Sequence, residues 1–241
     1  MSISRQSAEI LHFDQTAKRY GASWWGQATP AGKVRLQKRW ERMDDFLRKH
    51  HYATILEIGC GSGLLTGGIR QNHSLLYATD ISQELLQIAQ SKNPGAFLFR
   101  SDVTHLPFSD RVFDAVIGDG ILHHLDLEKA LPEIRRVVSL KGSAFFFEPN
   151  MLNPQIFLER KIPWMRRFHQ TPDETAFIRW QIKKSISRFW KHVRAEPFDF
   201  LHPSIPVQMI GMMQRLGGVL ERCAVVRELA GSLWIEASNE E

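Results

Sequence analysis

Three glycines at alternating positions close a short apolar run, Leu56-Glu57-Ile58-Gly59-Cys60-Gly61-Ser62-Gly63. Glycines directly after a buried strand let the chain turn sharply and let a ligand approach the backbone. A helix that begins just beyond them presents free N–H groups and a partial positive charge. An acid about 20 residues on, at the end of a second strand, can take ribose hydroxyls. Asp80 stands 21 residues after Gly59. The spacing is G-x-G-x-G, and Leu64 breaks the dinucleotide fingerprint G-x-G-x-x-G. Glu57, two residues before the first glycine, would repel a pyrophosphate. The same carboxylate would attract the cationic amino or sulfonium group of an amino-acid-like ligand. Further along, His123 and His124 offer the side chain most often used as a general base. A bracing or pocket-lining role for one or both is the competing expectation. Cys60 would sit near a helix N-terminus, where a thiol is acidified. Its small size in a tight loop is the favoured explanation.

The elements that must position these residues follow from the hydrophobic pattern. The first fifty residues read as helical, with Val34, Leu36, Trp40, Met43, Phe46 and Leu47 at helical spacing. Thr54 to Ile58 is a nearly apolar run, as expected of a buried parallel strand. Helix is expected to about Asn72, then strand from Leu75 to Thr79. Ser82 is placed to cap a helix that runs to about Ser91, and Asn93-Pro94-Gly95 breaks it. Ala96–Phe99, Phe113–Gly118 and Ala144–Phe147 read as further strands. Glu128–Val138 is helical, and Lys141-Gly142 is expected to turn. After Pro149 the character changes to aromatic, basic and proline-rich sequence without a clear strand. A helix is expected over 206–216, then two antiparallel strands at Val219–Val226 and Ser232–Glu236. Strands that alternate with helices imply an α/β fold with a parallel sheet and right-handed crossovers.

Four stretches, Leu56–Gly63, Ala78–Ser82, Arg100–Phe108 and Phe113–Leu125, together with Glu128–Val137, carry a family resemblance. The chain resembles the class I S-adenosylmethionine (SAM) dependent methyltransferases of the small-molecule type, near the ubiquinone and menaquinone biosynthesis enzymes. The resemblance covers roughly residues 50–149 and says little about substrate. It implies a Rossmann-like seven-stranded, mostly parallel sheet with helices on both faces, its last strand antiparallel, plus a helical insertion. The organisation expected is a helical N-terminal cover (1–49), a SAM-binding core (50–149 and 206–241) and a helical substrate or lid insertion (150–205). By resemblance, Gly59, Gly61 and Gly63 shape the methionine and ribose floor, and Glu57 orients it. Asp80 holds the ribose hydroxyls, and Ile81 packs on adenine. Asp102 accepts from the adenine amino group, with the Val103 N–H alongside. Gly118 and Asp119 approach the methionine amino end. The family usually has a small neutral or amide residue near 119, so an acid there leaves its role open. Phe13 to Tyr20 and Trp24-Trp25 resemble the family's N-terminal cover.

The expected activity is SAM-dependent methyl transfer to a small or lipid-linked metabolite, O-methylation first, with C- and N-methylation open. A SAM-binding regulatory partner protein is the alternative. The chain has 241 residues, 43% hydrophobic and 24% charged, enough to bury a sizeable core. Two cysteines, Cys60 and Cys223, exclude a disulfide framework and a conventional four-ligand zinc site, and no metal is expected. No run reaches the roughly 18–20 apolar residues of a membrane span. No secretory signal is read at Met1–Gln6, so a cytoplasmic location is expected. A net charge of +5 is too small to imply nucleic-acid binding unless it clusters. It does cluster between Glu159 and Arg194, where ten bases alternate with Trp164, Phe168, Phe177, Trp180, Phe189 and Trp190. That pattern fits an ordinary lid first, then a peripheral contact with an anionic membrane or the holding of an anionic or lipid-linked substrate, and nucleic acid is the least expected partner. Oligomeric state is not legible.

Overall fold

The computed structural model describes residues 5–21, 28–70, 75–162 and 176–239. Two helices come first, α1 (Arg5–Tyr20) and α2 (Pro30–Lys49). Thr29 caps α2 by accepting the Gly32 N–H, and Pro30 at the first helical position leaves no orphan donor. The alternating core follows: β1 (Thr54–Ile58), α3 (Leu64–Arg70), β2 (Leu75–Asp80), α4 (Gln83–Lys92), β3 (Phe97–Arg100) and β4 (Phe113–Asp119). Then come α5 (Leu127–Val137), β5 (Val138–Pro149), α6 (Pro154–Lys161), α7 (Arg179–Ile186) and β6 (His192–Phe198). The last elements are α8 (Ile210–Leu220), the single turn α9 (Ala224–Arg227) and β7 (Ser232–Ser238).

The strands form one seven-stranded sheet in the order β3-β2-β1-β4-β5-β7-β6. Pairings from β3 through β5 are parallel, and β7 runs antiparallel to both β5 and β6. Period-two alternation sends Leu56, Ile58, Val116 and Phe146 to one face, against Leu131 and Ile134 of α5 and Ile182 of α7. Ile55, Ile117, Phe145 and Phe147 point the other way, onto Met43 and Leu47 of α2 and Ile69 of α3. Each such fully buried side chain contributes roughly 1.5–3 kcal/mol. The chain moves outward from β1 to β3 and returns at β4. The crevice at the carboxyl ends of β1 and β4 is therefore the topological switch point, where such sheets take ligands.

Two strand expectations require correction. Residues 219–226 do not extend: α8 ends at Leu220, a turn follows, and α9 begins at Ala224. The neighbouring Gly217-Gly218 lies inside α8 and makes no break. The partner of β7 is instead β6, within the stretch expected to be a wholly helical insertion. Its alternation is short but present, with Val193, Ala195 and Pro197 buried and His192 and Arg194 exposed. As the last strand of the sheet, β6 tolerates Pro197. Lys141-Gly142 does not turn either but runs within β5. Gly142 is required there because a Cβ would come 2.6 Å from the Asp114 carbonyl oxygen.

Candidate active site

The glycine loop is built as a left-handed staircase. Gly59, Gly61 and Gly63 have φ of 65°, 53° and 72°, a region that side chains with a Cβ avoid. A Cβ on Gly59 would also meet Ile121 Cδ1 at 2.6 Å. The Cys60 N–H bonds the Thr79 carbonyl at 3.0 Å, which stitches the loop to the end of β2. The Asp80 carboxylate then accepts the Gly61 N–H at 2.8 Å and the Ser82 N–H at 2.9 Å, one on each oxygen. It thus joins the loop to the start of α4, which Ser82 caps by accepting the Leu85 N–H. The Ser82 hydroxyl in turn donates to Asp14 of α1. Asp80 is buried. Burial raises its pKa, while the Ser82, Gly61 and Ile81 N–H groups pull it down. The carboxylate still has acceptor capacity for a further donor.

A cavity of about 530 Å³ opens beside this carboxylate at the carboxyl ends of β1, β2, β4 and β5. It falls within the roughly 300–1,000 Å³ of small-molecule sites. Of the residues expected to bind cofactor, Glu57, Gly59, Gly61, Asp80, Ile81, Asp102, Val103 and Asp119 line it. Gly63 and Gly118 do not. Gly63 is packed against α4, where Asn93 Nδ2 donates to its carbonyl at 2.9 Å. Gly118 makes room for Ile121, whose Cγ2 would stand 2.7 Å from a Cβ. Asp102 bends its own loop by accepting the Thr104 N–H at 2.8 Å. The Ser101 N–H bonds the Asp80 carbonyl at 3.0 Å, which brings the 101–103 loop to the same end of the sheet as the glycines.

Glu57 is buried and accepts the Thr66 hydroxyl at 2.7 Å. Burial pushes its pKa up to about 8; the Thr66 bond opposes this, and the nearby Asp119 and Asp80 add to it. The question of the acid at 119 has a structural answer. Asp119 is ion-paired with Arg39 of α2, so it does not face the cavity as a free carboxylate. Arg39 also donates to Ser232 at 2.8 Å, and Arg35 bonds Asp199 at 3.0 Å.

His123 and His124 occupy a 3-10 turn after β4 and are both buried. His123 Nδ1 lies 2.7 Å from Glu148 Oε2, and the Leu122 N–H donates to Glu148 Oε1 at 2.6 Å. Glu148 is fully enclosed, and burial pushes its pKa up to about 8 against the pull of neighbouring N–H groups. Burial, with help from the charge of Arg160, lowers that of His123 to about 3. Both groups are driven to their neutral forms, so the imidazole is uncharged at physiological pH. The His124 ring is 4.1 Å from that of His123 and meets the edge of Phe13 at 5.2 Å, so α1 closes over the pair. Cys60 is buried, and its pKa is raised by burial and by the charges of Glu57 and Asp80. It is therefore not an activated thiol.

Several lining residues escape a reading of the sequence. Arg35 and Arg39 share a helix face through their four-residue spacing, but their partners are 80 to 197 residues away. Glu148 had a local signal: it is the lone acid that ends the apolar run Phe145-Phe146-Phe147. The Tyr20 side chain, Trp24-Trp25, and Trp164 and Phe168 of the basic aromatic stretch lie outside the described residues. What is described of that stretch is largely packed or paired. Trp190, Ile182 and Ile186 are buried, Arg188 pairs with Glu128 and Arg179 with Glu228.

Comparison with known proteins agrees with this architecture. Residues 56–146 match the family model of the methyltransferase domain. The mouse "Probable tRNA methyltransferase 9B" is 29% identical over 62% of this chain and 34% of its own length. The "Demethylmenaquinone methyltransferase" of Thermobifida fusca is 28% identical over 52% of this chain and 58% of its own. The chain thus spans only about a third to somewhat over half the length of these relatives. Among solved structures, the SAM-bound magnesium protoporphyrin IX methyltransferase from Synechocystis superposes with a TM-score of 0.63 at 15% identity, covering 99% of both chains. A possible histamine N-methyltransferase from Thermotoga maritima gives 0.63 at 15% identity, covering 95% of this chain and 100% of that one. At that identity these two likenesses establish the fold alone.

Proposed function

We propose that the chain is a class I SAM-dependent methyltransferase, as the match of residues 56–146 to the methyltransferase-domain model supports, and that it transfers a methyl group from SAM to a small or lipid-linked metabolite. The observation that carries the reading is Asp80: a buried carboxylate fastened to both the glycine loop and the α4 N-terminus, with acceptor capacity left on the cavity side. The residues fit this ligand. The diol of a ribose needs an acceptor, which Asp80 provides. Asp102 and the Val103 N–H, on the adjoining loop, match the donor and acceptor edge of adenine. Ile81 offers an apolar wall for the base. Glu57 lines the cavity and would favour the cationic methionine end of the cofactor, while Arg39 neutralises Asp119.

SAM supplies an electrophilic methyl group on a sulfonium centre. The protein's share is mainly orientation, worth roughly 7–11 kcal/mol in favourable cases. His123 is the candidate for taking a proton from the acceptor. Its ring is neutral and Glu148 holds it by Nδ1; burial alone leaves it a weak base with a pKa of about 3, so it takes a proton only as Glu148 ionises and stabilises the imidazolium. A group that arrives protonated, such as a hydroxyl, makes best use of such a base, so O-methylation is the favoured reaction. The test is to incubate the protein with SAM and a panel of hydroxyl-, amine- and quinol-bearing metabolites and to follow S-adenosylhomocysteine. Acceptor-dependent release supports the reading. Tight SAM binding without turnover on any acceptor makes the protein a SAM-binding partner instead.

A further inference from the structure

An apolar stripe on the outer face of α8 has no protein partner among the described residues. The helix packs inward through Ile210 and Gly217, with Ile210 against Ala31 and Leu201. Met212, Leu216 and Val219 recur at i, i+4 and i+7 on the opposite side and are 56%, 45% and 61% exposed. Val207 and Met209 continue the exposure before the helix, and Val225 and Leu229 after it. Single exposed apolar residues are ordinary, but a contiguous run of them marks a surface that meets something.

The charges around the stripe identify what it meets. From Val207 to Leu220 the only charged residue is Arg215, and Arg222 follows just beyond. At 100° per residue Arg215 falls on one flank of the stripe, and Arg222 stands in the turn just past the helix end. Neither makes an ion pair among the described residues, and both are exposed. The nearby acids are neutralised: Glu221 pairs with Lys38 at 3.0 Å and Glu228 with Arg179 at 3.2 Å. We propose that this face of α8 is a docking surface for an anionic lipid bilayer, with the apolar stripe entering the interface and Arg215 and Arg222 reaching the headgroups. A second copy of the chain fits less well. A symmetric pairing would bring the same unpaired arginines together without acids to receive them.

The position relative to the cavity gives the contact a use. Residues 199–204 line the cavity, and the chain passes from them through a short turn into α8. On another cavity wall, α6 turns Ile156, Glu159 and Arg160 inward and leaves Phe157 and Leu158 exposed. Docking would bring the cavity close to acceptors dissolved in or tethered to the bilayer. The surface itself does not depend on the methyl-transfer reading.

Flotation of the full chain with vesicles of equal parts phosphatidylglycerol and phosphatidylcholine tests the proposal. At low salt the wild type floats with these vesicles and not with phosphatidylcholine alone. Met212→Gln, Leu216→Gln and Val219→Gln together weaken partitioning about a hundredfold, because three apolar side chains no longer leave water. All three are exposed, so the thermal midpoint stays put. Arg215→Glu with Arg222→Glu, which removes no apolar contact, abolishes the preference for the anionic vesicles. Cys223 is exposed and Cys60 buried, so a polarity-sensitive thiol dye on Cys223 shifts blue on the anionic vesicles. A wild type that does not float, or a triple variant that floats as well as wild type, overturns the proposal. A wild-type dimer that the triple variant dissociates, in the absence of flotation, also overturns it and assigns the face to a second copy.

Discussion

Replacing Glu57 by Gln separates a charge from a shape. The amide keeps an oxygen for the Thr66 hydroxyl, now 2.7 Å from Glu57 Oε2, and fills the same buried volume. What it removes is a titration. Burial holds Glu57 at a pKa of about 8 in the ligand-free protein. At pH 7 the group is therefore about 90% protonated, and ionising it costs about 1.4 kcal/mol. A sulfonium or ammonium group nearby favours the ionised form, so SAM binding at pH 7 expels about 0.9 proton from this residue. The same linkage makes the affinity for SAM rise about tenfold between pH 7 and pH 9 through Glu57 alone. Calorimetric titrations at pH 7 in buffers of different ionisation enthalpy count the protons. Glu57→Gln releases about 0.9 fewer than wild type, the ligand's own titration cancelling in the difference. Equal proton release from the two proteins would refute the reasoning, because Glu57 would then either be ionised from the start or not sense the ligand's charge.

Three further outcomes follow from the geometry. Asp80→Asn turns one acceptor towards the Gly61 or Ser82 N–H as a donor; it lowers stability by about 1–3 kcal/mol and SAM affinity at least about tenfold, read by urea unfolding and calorimetry, and an unchanged unfolding midpoint contradicts it. Glu57 and Glu148 both have folded pKa values of about 8, above the unfolded carboxylate value. Their contribution is fully present below the unfolded pKa and is lost as pH rises to about 8, at about 1.4 kcal/mol per pH unit and group. His123, with a folded pKa of about 3, contributes the opposite slope up to its unfolded value of 6.5, so thermal midpoints fall gently from pH 5 to about 6.5, more steeply to pH 8, and level off above. Glu148→Gln flattens the slope, and a wild-type midpoint that climbs over this window is inconsistent with two neutral buried acids. His123→Ala cuts turnover at least about a hundredfold, the lower range for a general base, and leaves SAM affinity within about twofold; unchanged turnover removes His123 from the chemistry.

The half of the sheet that opens onto the glycine loop was legible because its signals are local. Buried parallel strands such as Ile55–Ile58 are continuous apolar runs, and the glycines and Asp80 mark their carboxyl ends. The other half was harder to read. In β6, Arg194, Glu196 and Pro197 mask a short alternation, and its neighbours are basic enough to dominate the composition. The Val219–Val226 run read as a strand because apolar residues are ordinarily buried. Here Val219 and Val225 belong to a helical surface that faces outward. Cavity-lining residues from distant segments were legible only in part. Glu148 follows its own strand, whereas Arg39 acts on Asp119 and Ser232, and Arg35 on Asp199, across contacts that sequence spacing does not encode. The pairing of Asp119 with Arg39 also explains how an acid is accommodated where the family usually has a neutral residue.

The cavity beside Asp80 is the proposed seat of SAM. Isothermal titration of the full chain with SAM, and separately with S-adenosylhomocysteine, measures binding directly. Both are expected to bind saturably with one site per chain, and Asp80→Ala to abolish binding of both. Absence of heat with either ligand at about millimolar concentration, in a protein shown to be folded, would contradict that assignment.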